Sequence, residues 1–124
     1  MATEILINDG GAPGRILPFV AGSTIAAGDP LQITADGEVD AGTASGAKLL
    51  GVALTAATSG NIANVISGRG IIVKANCSGT IALGANVEVG GAGPLETTQA
   101  VGNSVGIALE AHADPTSLIK VMLL

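Results

Sequence analysis

Residues 22–33, Gly22-Ser-Thr-Ile-Ala-Ala-Gly-Asp-Pro-Leu-Gln-Ile33, return as residues 78–89, Ser78-Gly-Thr-Ile-Ala-Leu-Gly-Ala-Asn-Val-Glu-Val89. Thr-Ile-Ala-x-Gly stands in both copies, and the apolar residues that follow alternate with polar ones, the period of a strand with one buried face. The correspondence continues outward. Leu50-Gly-Val-Ala-Leu-Thr-Ala56 matches Val105-Gly-Ile-Ala-Leu-Glu-Ala111, and each is followed by a polar turn and a closing apolar run, Ile62–Ser67 and Leu118–Leu123. Two copies are too few for a solenoid, whose units need several neighbours to bury their faces. They fit a pseudo-twofold pair.

The repeat unit reads as β throughout. Apolar runs of about four to seven residues, rich in Val and Ile, are bounded by Gly, Asn, Asp and Pro. The 19 glycines of the 124 residues interrupt these runs too often for long helices. Asp36-Gly37 predicts a tight hairpin, because Gly accepts the positive φ of a primed turn. Thr24 to Pro30 predicts a wide turn feeding that hairpin, with Asp29 capping its own backbone. The expected fold is all-β, an internally duplicated β-sandwich or partly closed barrel with pseudo-twofold symmetry. Residues 1–13 are expected to form an N-terminal arm. Residues 14–124 are expected to form a single β domain of two repeats, about 14–69 and 70–124.

Composition narrows the function classes. Apolar residues make up 48% of the chain and charged residues 12%, which excludes intrinsic disorder. With no Trp, no Tyr and only Phe19 as an aromatic, the core must be built of small and branched aliphatics. Such a core is thin for a chain of this length, so part of the stability is expected from association. The formal charge of −5 has the wrong sign for a protein that neutralises phosphates, so nucleic acid is not an expected partner. Residues 1–40 hold Glu4, Asp9, Asp29, Asp36, Glu38 and Asp40 against Arg15 alone, whereas residues 41–87 hold only Lys48, Arg69 and Lys74. That asymmetry suits contacts between subunits. The single Cys77 permits no internal disulfide, and MATEILINDGG lacks the basic and apolar regions of a secretory signal. Synthesis in a cytoplasm is expected, with no membrane partner.

No residue set points to a reaction. His112 is the only histidine and has no Cys near it in sequence, so neither a zinc site nor any other metal site is expected; a surface or interface role beside Asp114 is. Cys77 falls where the first repeat has Ala21, which marks it as small apolar filler rather than a nucleophile. The glycine-rich stretches 10–14 and 90–93 have no Lys-Ser/Thr and no following helix, so they are loops rather than phosphate cradles. The expectation is no enzyme activity, no cofactor and no small-molecule substrate.

Ala26-Ala27-Gly28-Asp29-Pro30-Leu31, Leu50-Gly51-Val52-Ala53-Leu54, Val105-Gly106-Ile107-Ala108-Leu109-Glu110-Ala111 and the closing Ile119-Lys120-Val121-Met122-Leu123 resemble the small capsid decoration, or cement, proteins of tailed bacteriophages. The resemblance covers most of residues 20–124. It implies a β-rich domain on the exterior of a phage head in the virion, a homotrimer that clamps neighbouring major capsid protein subunits. The contact residues expected for such a role are the arm residues Glu4, Ile5, Leu6, Ile7 and Asn8, the turn residues Asp29 and Pro30, and Phe19. The arm is expected either to add a strand to a capsid or neighbouring subunit or to form an edge strand of its own sheet. Thr24 to Leu31 also resembles a turn of lipoyl- or biotinyl-carrier barrels. None of Lys48, Lys74 and Lys120 has the exposed-hairpin setting of a carrier lysine.

Overall fold

Alternating burial along β-branched runs produces strands and no helix among the described residues of the computed structural model, which are 5–8, 15–41, 48–98, 102–113 and 117–124. Five strands form the first ring: β2 (Arg15–Ala21), β3 (Pro30–Ala35), β4 (Glu38–Ala41), β5 (Gly51–Ala53) and β6 (Ile62–Ser67). They close in the order β2-β4-β3-β5-β6. Five more form the second: β7 (Ile72–Cys77), β8 (Asn86–Val89), β9 (Leu95–Thr97), β10 (Gly106–Ala108) and β11 (Ser117–Leu123). Here β11, β10, β8 and β9 follow β7 in order, and a parallel pairing of Cys77 with Leu95 joins β9 back to β7. Strand for strand, the two rings have the same order. The fold is all-β and in two parts.

The same local hydrogen bonds occur in both rings. Gly28 N–H donates to the carbonyl of Ala53 at 2.8 Å, and Gly84 N–H to that of Ala108 at 2.9 Å. Both glycines have positive φ, 90° and 81°, so the Thr-Ile-Ala-x-Gly turn needs its glycine for conformation. Gly51 and Gly106 are needed for proximity. A Cβ at Gly51 would stand 2.4 Å from the Ile66 carbonyl oxygen, and one at Gly106 2.9 Å from that of Met122. Those glycines let β5 and β10 lie against β6 and β11. The Asp36-Gly37 hairpin joins β3 to β4 with Gly37 at φ 71°, but among the described residues only glycines have positive φ, so Asp36 does not, and the turn is not the primed type expected; the register shifts between Ile33 and Ala35 instead.

Each ring carries a core of small aliphatics. Ala21, Ile25, Leu31, Val39, Ala53, Ala63 and Val65 cluster in the first. Val73, Ala75, Cys77, Val87, Val89, Leu95 and Val121 are among those in the second, which Val52 and Ile66 join from the first ring. At the resulting seam, the turn at Gly28 and Asp29 meets β7. Asn76 N–H donates to the Gly28 carbonyl at 2.9 Å, and Asn76 Nδ2 donates to Asp29 Oδ1 at 2.6 Å.

The remaining strand, β1 (Leu6–Asn8), pairs antiparallel with β7 of its own chain. Ile5, just before it, is buried in the second core, and its carbonyl accepts from Lys74 N–H at 2.8 Å. At the matching position of the first ring stands Pro18, which has no N–H to donate.

Candidate protein interface

Most of the residues expected to make contacts are engaged within the chain. Asp29 accepts from Ala26 N–H through Oδ2 at 2.9 Å, which is the expected cap of its own turn, and from Asn76 through Oδ1. Pro30 is buried at the start of β3 and pairs with Val52. Phe19 is half-buried and packs on the first core. Ile5 fills the second core, Leu6, Ile7 and Asn8 form β1 on β7, and Glu4, like most of the 1–13 arm, lies outside the described residues. Asp29 and Ile5 come to one strand, β7. Phe19 is apart from them in the first ring.

An exposed apolar strip lies elsewhere. Along β2, Leu17, Phe19 and Ala21 alternate with Ile16, Pro18 and Val20, so both faces of the strand are apolar. The second set points outward and is exposed. Val20 pairs with Ile62 of β6 on one side and Glu38 of β4 on the other. Ile16 is 54% exposed and Ile62 57%. The result is an aliphatic strip bordered by acid. Exposed apolar surface gathered in one place, rather than scattered, marks a contact face. The sequence carried its signal: a strand apolar on both faces needs cover on both.

Beside the seam opens a cleft of about 620 Å³, lined by Leu49, Leu50 and Val105 and by Lys48, Arg69 and Asn103 among the polar groups. Lys48 and Arg69 are both exposed. A cleft lined by half-buried aliphatics and two exposed cations suits a carboxylate-bearing segment.

The reactive side chains are placed as structure. Cys77 is fully buried in the second core, and burial pushes its thiol up to about 12. This is the opposite of nucleophile activation. His112, expected in a surface or interface role beside Asp114, is not at the surface; Asp114 lies outside the described residues. The His112 ring is buried, with Nδ1 2.7 Å from the Gly79 carbonyl oxygen and Nε2 3.0 Å from Ser117 Oγ. A carbonyl can only accept, so Nδ1 carries the proton. The ring thus ties the turn after β7 to the start of β11, reinforcing the bridge between Ile81 and His112. Sequence spacing gave no sign of this, because Gly79 and His112 meet only when the ring closes. Among the described residues, no three His, Cys, Asp or Glu side chains gather where they could hold a metal ion.

No protein-family model matches the chain. No curated protein matches it either. Among solved structures, the fold is similar to the N base of the head fiber gp8.5 of bacteriophage phi29, with a TM-score of 0.73 and 18% identity, over 90% of this chain and 95% of that one. At that identity, the likeness is one of fold.

Proposed function

We propose that this chain is a structural protein of a phage head, displayed on the capsid exterior of the virion, where it works as a binding module and not as an enzyme. The reading rests on one observation: a fold shared over nearly its whole length with the base of a phage head fiber. In finer detail, the chain is a decoration protein that associates as a homotrimer and clamps neighbouring major capsid protein subunits, made in the host cytoplasm and needing no cofactor. The strip of Ile16, Pro18, Val20 and Ile62 supplies the apolar face that such docking would bury. A lattice repeats each contact many times, so a modest face is sufficient.

The test is co-sedimentation of the purified chain with heads of the parent phage that lack it. Saturable recovery in the pellet, at a fixed ratio to the major capsid protein, is the expected result. A chain that stays in the supernatant at high micromolar concentration overturns the proposal.

A further inference from the structure

The β3–β4 hairpin is a knob and the cleft at the seam is a socket. Ile33, Thr34, Ala35, Asp36 and Gly37 are all exposed, with Ile33 at 51%, and Glu38 follows at the start of β4. The hairpin therefore presents the aliphatic Ile33 and the carboxylate of Asp36, with the half-exposed Glu38 behind the tip, its carboxylate over Gly22. The cleft presents the complement, the half-buried aliphatics Leu49, Leu50 and Val105 with the exposed cations Lys48 and Arg69. The corresponding loop of the second ring, Gly90 to Pro94, has no charged residue. Only the first ring carries the knob.

The acidic tip and the cleft of one molecule stay apart. Leu50 N–H donates to the Leu31 carbonyl at 2.8 Å, so the cleft wall lies at the start of β3, while Asp36 follows its end. At about 3.3 Å per residue, the five steps from Leu31 to Asp36 hold the tip roughly 17 Å from that wall. The strand between them is paired along one side with β4, from Leu31 to Ala35, while β5 holds its start at Pro30 and Leu31.

We propose that the β3–β4 hairpin of one copy of this chain docks into the seam cleft of a second copy, Ile33 on its aliphatic lining and Asp36 and Glu38 against Lys48 and Arg69. The contact is heterologous. Each copy offers one knob and one socket, so a rotation that closes produces a ring, and three copies satisfy the homotrimer of the function proposed above, on which this inference rests. The uneven charge of the chain, acidic before residue 41 and basic from 41 to 87, becomes attraction between copies.

Sedimentation velocity across a dilution series tests this, with D36K/E38K, K48E/R69E and the charge-swapped chain carrying all four changes. The wild type is expected to assemble as a trimer. Each reversal should weaken assembly roughly tenfold or more, through like charges in contact. The four-fold swap, which restores opposite signs, should recover it. A monomeric wild type overturns the inference, and so do reversals that leave the mass unchanged or a swap that fails to recover assembly while its far-UV spectrum stays β. Head binding is read separately. A K48E/R69E chain that is monomeric yet still pellets with heads supports the inference and leaves the head role standing, whereas wild-type trimers that ignore heads overturn the head role alone.

Discussion

Asn76 Nδ2 and Asp29 Oδ1 stand 2.6 Å apart, a hydrogen bond between the turn before β3 in the first ring and β7 in the second. The other carboxylate oxygen caps its own turn at Ala26 N–H. One side chain thereby fixes the shape of the turn and attaches it to the other ring. Its counterpart in the second repeat is Ala85, which does neither.

Replacing Asp29 with Ala removes both bonds and leaves the Asn76 amide without that partner. Hydrogen bonds to charged groups contribute about 1.5–3 kcal/mol each, less where solvent competes. A loss of about 2 kcal/mol is expected for D29A in urea unfolding, and a smaller loss for N76A. In a double-mutant cycle the two should couple; additive effects would show that the pair contributes nothing jointly.

Gly51 is predicted to be among the least replaceable glycines. G51A drives a Cβ into the Ile66 carbonyl, which as backbone has little room to move, and should cost about 3 kcal/mol. At Gly60 a Cβ meets open space, and only the φ of +85° opposes it. G60A should therefore cost about 1 kcal/mol. Thermal unfolding of the two variants separates close approach from conformation.

The buried Cys77 makes stability fall in alkali. Its thiol is raised from 9.0 to about 12 in the folded chain, so below pH 9 it is protonated in both states and its contribution is fully present. Between pH 9 and 12 the unfolded thiol ionises while the folded one does not. Stability should drop by about 1.4 kcal/mol per pH unit across that window. C77A, which installs the residue of the first repeat, should flatten this slope. Iodoacetamide should label the native chain at pH 8 only as fast as it unfolds.

Along the outer strip, I16E and I62E should leave urea unfolding within about 0.5 kcal/mol of the wild type, since both residues are exposed. The same variants should lose recovery with phage heads. Undiminished recovery would place the capsid contact elsewhere on the chain.

Removing residues 2–8 is a test of the second ring. Ile5 is buried in its core and β1 covers part of the β7 edge. Loss of a buried Ile side chain typically costs 2–5 kcal/mol. A lowered melting temperature is expected with β structure retained at low temperature.

Much of this was legible locally. The Thr-Ile-Ala-x-Gly motifs, the Gly-Val-Ala-Leu and Gly-Ile-Ala-Leu runs and the Asp36-Gly37 turn determine strands and turns by steric rules acting within a few residues. They also place Cys77 inside, by its alignment with Ala21. The site was less legible, because contact surfaces are made by residues far apart in sequence. His112 reads as a surface residue until Gly79 and Ser117 are brought to its ring.

Strand order and edges belong to the tertiary structure alone. On one edge of β7, the N–H groups of Lys74, Asn76 and Ser78 find the carbonyls of Ile5, Gly28 and Leu95, from an N-terminal strand, a turn of the first ring and β9. Periodicity reports which face of a strand is apolar. It does not report which backbone will satisfy its edge, since every peptide group offers the same donor and acceptor. Pro18 is the exception that sequence does reveal: where Lys74 donates to Ile5, the first ring has no donor, so the N-terminal strand's bond at that position exists only in the second.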